Sequence, residues 1–142
     1  MKPLMTSLLI ALTALPLSAH AAPVTLNLTN VEARGGQLLV GLQTGDQFLK
    51  NGGIAGEIVE APEPGTLTFT FDVPEGRYSA SVLHDENKDG TMSVGANGMP
   101  AEGWTMHNAD KLMGPPTFDL VGFDVPPTGL TLTMDMIYPE AE

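Results

Sequence analysis

The sequence predicts an all-β fold, a single antiparallel two-sheet sandwich of about seven strands. Three observations predict it. Apolar residues recur at every second position in several runs, which marks strands with one buried face. Segments rich in Gly, Pro and Asn separate those runs at short intervals. Beyond residue 21, no stretch sustains the 3.6-residue period of a helix.

The strands follow in order. Val24, Leu26 and Leu28 alternate with Thr25, Asn27 and Thr29 and take the inner face of the first. Residues 37–43 and 54–60 form two weaker runs. Thr66-Leu67-Thr68-Phe69-Thr70-Phe71-Asp72 is the clearest, with Leu67, Phe69 and Phe71 inward and threonines outward. Tyr78, Ala80, Val82 and His84 share one face opposite Ser79 and Ser81. Val121, Phe123 and Val125 flank Gly122 and Asp124, and Leu130, Leu132, Met134 and Met136 close the pattern. Turn chemistry joins these runs at Arg34-Gly35-Gly36, Asn51-Gly52-Gly53, Pro62-Glu63-Pro64-Gly65, Pro74-Glu75-Gly76 and Pro126-Pro127-Thr128-Gly129. Residues 85–117 break the rhythm. They read as one long irregular loop rich in Gly, Asn, Pro and Met, and a connection of that length is functional or mobile.

A chain of 142 residues with 42% apolar and 16% charged residues fits one folded domain, expected over residues 22–142. Lys and Arg number 6 against 17 Asp and Glu, a formal charge of −11, and there is no Cys. These values exclude nucleic-acid binding, a disulfide-stapled module and a thiolate metal site. The negative field disfavours anionic membranes and ligands and attracts cations.

Residues 1–21 read as a cleaved signal peptide. Lys2 gives the positive start, residues 8–15 the apolar stretch, and Ala19-His20-Ala21 the cleavage motif, with cutting expected after Ala21. The apolar run is too short to span a bilayer, which takes about 20 residues. The expectation is therefore a periplasmic or secreted protein, monomeric, with no membrane span, and with an unknown small molecule or protein as partner.

Within the long loop, Asp85-Glu86-Asn87-Lys88-Asp89-Gly90 matches the opening of the calcium-loop pattern D-x-[DN]-x-[DN]-G. In a tightly wound loop, alternate residues face one side, so Asp85, Asn87 and Asp89 can converge on a hard cation. Gly90 permits the turn and the Thr91 carbonyl adds an oxygen. The closing Glu of the pattern is missing, because position 96 is Ala. Glu102 is the next acid able to complete the shell, followed by Asp110, while Glu86 should point away. A structural calcium ion held at about 10⁻⁴ to 10⁻³ M is one reading. A plain hairpin turn at Asn87-Lys88-Asp89-Gly90 is the other.

Further residues offer other chemistry. His84 beside Asp85 and Glu102 could serve a hydrolase, yet no nucleophile elbow accompanies it and no catalytic residue is assigned. Met92, Met99, Met106 and Met113, with His84 or His107, suggest a Cu(I) site by ligand softness. Trp104, the single tryptophan, can pin the loop to the sheet.

Several of these residues come in a characteristic order: Gly76-Arg77-Tyr78, His84-Asp85-Glu86-Asn87 through Gly90, Gly98-Met99-Pro100-Ala101-Glu102-Gly103-Trp104, Asn108-Ala109, and Gly114-Pro115-Pro116-Thr117-Phe118. In this order the chain resembles the bacterial exported family known as domain of unknown function 2141. The resemblance implies a small secreted β-sandwich whose signature lies in the loop, without an assigned activity. The matching positions are His84, Asp85, Asn87, Gly90, Glu102, Asn108 and the Gly114-Pro115-Pro116 turn. Trp104 and His107 depart from the pattern, which carries Tyr or Phe and a small polar residue there. The Pro74-Glu75-Gly76-Arg77-Tyr78 turn resembles the strand entries of prealbumin-like sandwiches, so the expected body is prealbumin- or immunoglobulin-like.

Overall fold

The computed structural model describes residues 21–140. The expected leader therefore lies outside the described residues, apart from Ala21. The elements are β1 (Ala21–Val31), β2 (Gln37–Gln43), β3 (Ala55–Glu60), β4 (Gly65–Pro74), β5 (Gly76–Asp85), β6 (Gly103–Met106), a 3₁₀ turn at Ala109–Lys111, the one-turn helix α1 (Phe118–Val121), β7 (Phe123–Val125) and β8 (Leu130–Asp135). They form a two-sheet sandwich. One sheet has the order β4-β1-β8, and the other has β3-β2-β5-β6 with β7 also on β5. Both short strands pair with β5, β7 along Gly76–Tyr78 and β6 along Ser81–His84.

Alternation explains the core. Val24, Leu26 and Leu28 of β1, Leu38, Val40 and Leu42 of β2, Tyr78, Ala80 and Val82 of β5, and Met134 of β8 are all buried between the sheets. The long threonine-flanked strand β4 contributes Phe69 and Val73, while Leu67 and Phe71 pack at the margin. Burying one such aliphatic side chain contributes roughly 1.5–3 kcal/mol, and truncating fully buried Leu26 to Ala would cost about 2–5 kcal/mol.

Three features differ from the sequence expectation. First, the sandwich is not wholly antiparallel: β8 runs parallel to β1, from Val24 opposite Leu130 to Thr29 opposite Asp135. Alternation specifies which face is buried and says nothing of strand direction. Second, the irregular segment 85–117 contains β6. Its burial is inverted relative to polarity, with Gly103 and Thr105 buried and Trp104 and Met106 half-exposed. A strand whose apolar side chains face outward carries no inward hydrophobic stripe to detect. Third, α1 precedes β7, a single turn that periodicity cannot register.

Candidate functional site

Strand β5 ends with two neighbours on opposite faces. His84 turns inward and Asp85 outward, and both are fully buried. Asp85 is covered by its own loop. Its β2 register partner Gln37 donates from Nε2 to Asp85 Oδ2 at 2.8 Å. The chain then curls around the carboxylate: the Gly90 N–H reaches Oδ2 at 2.8 Å and the Asp89 N–H reaches Oδ1 at 3.1 Å. Lys88 and Gly90 adopt positive φ angles of 57° and 77°, which close the curl. Burial alone would raise the Asp85 carboxyl, but the hydrogen bonds from Gln37, Gly90 and Asp89 outweigh it and hold the group below its ordinary value.

Glu102 arrives from the far end of the segment. Because Gly103 is the register partner of His84, the residue before it is set beside the start of the loop. Glu102 is 4% exposed. Its Oε2 accepts the Glu86 N–H at 2.7 Å and its Oε1 the Ser93 N–H at 2.9 Å, so one side chain ties two loop strands together. Asp89 is exposed. Its carboxylate accepts the Thr91 N–H at 3.0 Å and the Asn87 Nδ2 at 3.2 Å.

One oxygen each from Asp85, Asp89 and Glu102 lies within 4.8 Å of the others. No ion pair among the described residues reaches any of the three. Lys88 pairs instead with Glu60 at 2.5 Å, and Arg34 with Glu32 at 2.6 Å and Glu86 at 3.4 Å. The Glu32 hydrogen bond is the main reason the Arg34 guanidinium is held above its ordinary value, against the opposing effect of burial. Gly36, at φ 61°, lets the Arg34 turn lie against this corner: a Cβ there would overlap the Asp85 carbonyl and the Glu86 Cα.

The remaining candidates sit as follows. Asn87 and Thr91 touch Asp89 through the bonds above, Asn87 also accepting the Asp89 N–H at 3.3 Å. His84 is fully engaged away from the acids, with Nδ1 on the Tyr138 hydroxyl at 2.8 Å and Nε2 on the Gly35 carbonyl at 2.7 Å. It therefore does not meet Asp85 or Glu102, as a hydrolytic arrangement requires. Trp104 belongs to β6 itself, opposite Leu83 on the outer face, and lines two cavities together with the loop residues Met92 and Met99. Asn108, at φ 61°, donates from Nδ2 to the Leu120 carbonyl at 2.9 Å and ties the 3₁₀ turn to α1. The loop methionines are dispersed. Met92 and Met106 line a groove on the outer sheet face, Met99 lines a second cavity, and Met113 is fully exposed. His107 packs edge-on against Phe123, and burial followed by nearby Lys111 lowers its pKa.

The three carboxylates that meet here offer oxygen donors, the ligand type that a hard divalent cation takes. Gln37, Arg34 and Tyr138 support this corner and carried no motif. Only the β2–β5 register and the return of the C-terminal segment place them there. A family model described as an uncharacterized protein conserved in bacteria (DUF2141) matches residues 26–132, a span that holds the whole acidic corner. No curated protein and no solved structure gives a significant match.

Proposed function

The chain belongs to the bacterial family DUF2141, and from that premise we propose that it is an exported, non-enzymatic β-sandwich, a monomeric binding or accessory module whose acidic loop is held by calcium. The observation that carries the ion is the meeting of Asp85, Asp89 and Glu102 within 4.8 Å, with no basic side chain paired to them among the described residues. Two buried like charges at that separation repel by about 3 kcal/mol at an effective dielectric near 20. Backbone N–H groups offset part of this repulsion; a divalent cation offsets the rest and adds cross-links between residues 85–90 and 102. The leader pattern at residues 1–21 supports export.

Thermal unfolding tests the ion. With a Kd of about 10⁻⁴ to 10⁻³ M, roughly 10 mM calcium should stabilise by about 1.4–2.7 kcal/mol, raising Tm by roughly 4–10 °C, and chelator should reverse the rise. A midpoint indifferent to calcium and chelator overturns the ion. Mass analysis of the protein recovered outside the cytoplasm should give a chain starting at Ala22; a full-length cytoplasmic chain overturns export.

A further inference from the structure

The outer face of the five-stranded sheet carries a groove of about 700 Å³, within the range of small-molecule sites. Its floor is one cross-strand row, Gly56, Gly41, Ser81 and Met106, each the register partner of the next. Two adjacent strands thus lack a Cβ, and the sheet surface sinks between its neighbours. Leu39, Leu83 and Trp104, the adjacent row, form an apolar wall. The row spans three interstrand steps of about 4.8 Å, giving a trough roughly 14 Å long that suits a linear apolar body.

Charge is distributed unevenly here. The chain has 17 acidic residues, yet among the described residues none lines the groove, and Lys50 is the one ionisable residue in its lining. No acid pairs with Lys50 among the described residues, whereas Arg34, Arg77 and Lys88 are all paired. The acidic corner sits at the Gln37 end of β2 and Lys50 at the Gln43 end, about 20 Å apart along the strand, well beyond the roughly 8 Å screening length at physiological ionic strength, so the local lysine sets the preference at its end of the trough. Ser81 places a hydroxyl on this floor as a polar handle.

We propose that this groove binds a medium-chain aliphatic monocarboxylate, its chain lying over Gly41 and Ser81 against Leu39, Leu83 and Trp104, its carboxylate at Lys50. This specifies the ligand of the binding module; Gly90 and Met92 of the acidic loop rim the groove, but no calcium ligand touches the aliphatic chain or its carboxylate in this arrangement. Trp104, the single tryptophan, reports occupancy directly.

The experiment titrates the protein, in chelator, with decanoate and decyltrimethylammonium below their micellar concentrations and with decanol below its solubility limit, while following Trp104 emission. Decanoate should give a saturable change, decanol should bind about tenfold more weakly, and the ammonium should not saturate. Lys50→Gln should reduce decanoate to the level of decanol and leave decanol unchanged. Gly41→Val should abolish both, because a Cβ there meets only the Ala55 carbonyl at an ordinary 3.7 Å and the side chain fills the trough. No saturable decanoate signal, equal affinity for the three head groups, indifference to Lys50→Gln, or binding that survives Gly41→Val in a folded protein would each overturn the proposal. The exposed Lys50 substitution decides the matter even if the glycine variant folds poorly. Because chelator is present throughout, failure here leaves the calcium reading standing, and failure of the calcium reading leaves this one.

Discussion

The Tyr138 hydroxyl lies 2.8 Å from His84 Nδ1 and joins the C-terminal segment to the end of β5. The Gly35 carbonyl on the other ring nitrogen can only accept, so Nε2 carries a hydrogen and, in the singly protonated ring, Tyr138 donates to Nδ1. The same hydroxyl oxygen accepts the Glu32 N–H at 2.9 Å, and the Arg34 guanidinium lies over the ring at 4.6 Å. Burial raises the Tyr138 pKa, which keeps the donor proton in place. His84 thus works as a tie between the β1–β2 turn and the chain end.

Tyr138→Phe should strand a buried imidazole nitrogen and the Glu32 N–H while preserving the ring. We expect a loss of about 1–3 kcal/mol in denaturant unfolding. An unchanged midpoint would mean that the ring packing alone holds this corner.

Gly103→Ala tests the same contact from the other side. A Cβ at position 103 would overlap the Tyr138 ring, which is tied at its hydroxyl and covered by Arg34. The ring cannot swing aside cheaply, so a loss of about 1–3 kcal/mol is expected. Calorimetry on the variant measures it, and full wild-type stability would show that the ring moves freely.

The acid limb of stability should belong largely to Asp85. Its carboxyl titrates below the ordinary 3.8 in the folded protein. Its contribution is therefore complete above that value and is lost as pH falls through the lower folded value. His107 acts earlier. Its folded pKa lies below 6.5, so stability declines as pH drops through 6.5 toward that lower value. Unfolding across pH should show both windows. Asp85→Asn should flatten the lower one and His107→Gln the upper, and an acid limb unchanged in Asp85→Asn would contradict this account.

The calcium response should vanish before the fold does. Asp89→Asn changes an exposed carboxylate, so basal stability should move by less than about 1 kcal/mol, with the calcium-induced rise in Tm lost. Glu102→Gln should lose the same rise and also lower basal Tm, since its oxygens hold the Glu86 and Ser93 N–H groups. A full calcium shift in both variants would place the ion elsewhere.

Much of the sandwich was legible because burial and chain period coincide. Val24-Leu26-Leu28, Phe69, Tyr78-Ala80-Val82 and Met134-Met136 all face the core as alternation requires. Where burial and polarity part company, legibility stops: Trp104 and Met106 turn outward on β6, and buried Thr105 gives no inward signal. In the acidic loop, the spacing of Asp85, Asn87 and Asp89 identified local partners, and Glu102 was the acid expected from the distant stretch. Gln37 and Tyr138 remained invisible, because contacts across 48 and 54 residues of chain leave no local pattern.

Alternation, turn residues and the Asp85–Gly90 motif, all local in the chain, determined the strand faces, the turns and the presence of an acidic curl. The tertiary structure decided what strand pairing alone can decide: the parallel entry of β8 beside β1, the capture of His84 by Tyr138, and the empty row over Gly41 and Gly56. The reason is physical. Side-chain period records which face meets water, whereas pairing partner and direction arise from backbone hydrogen bonds that every residue can make.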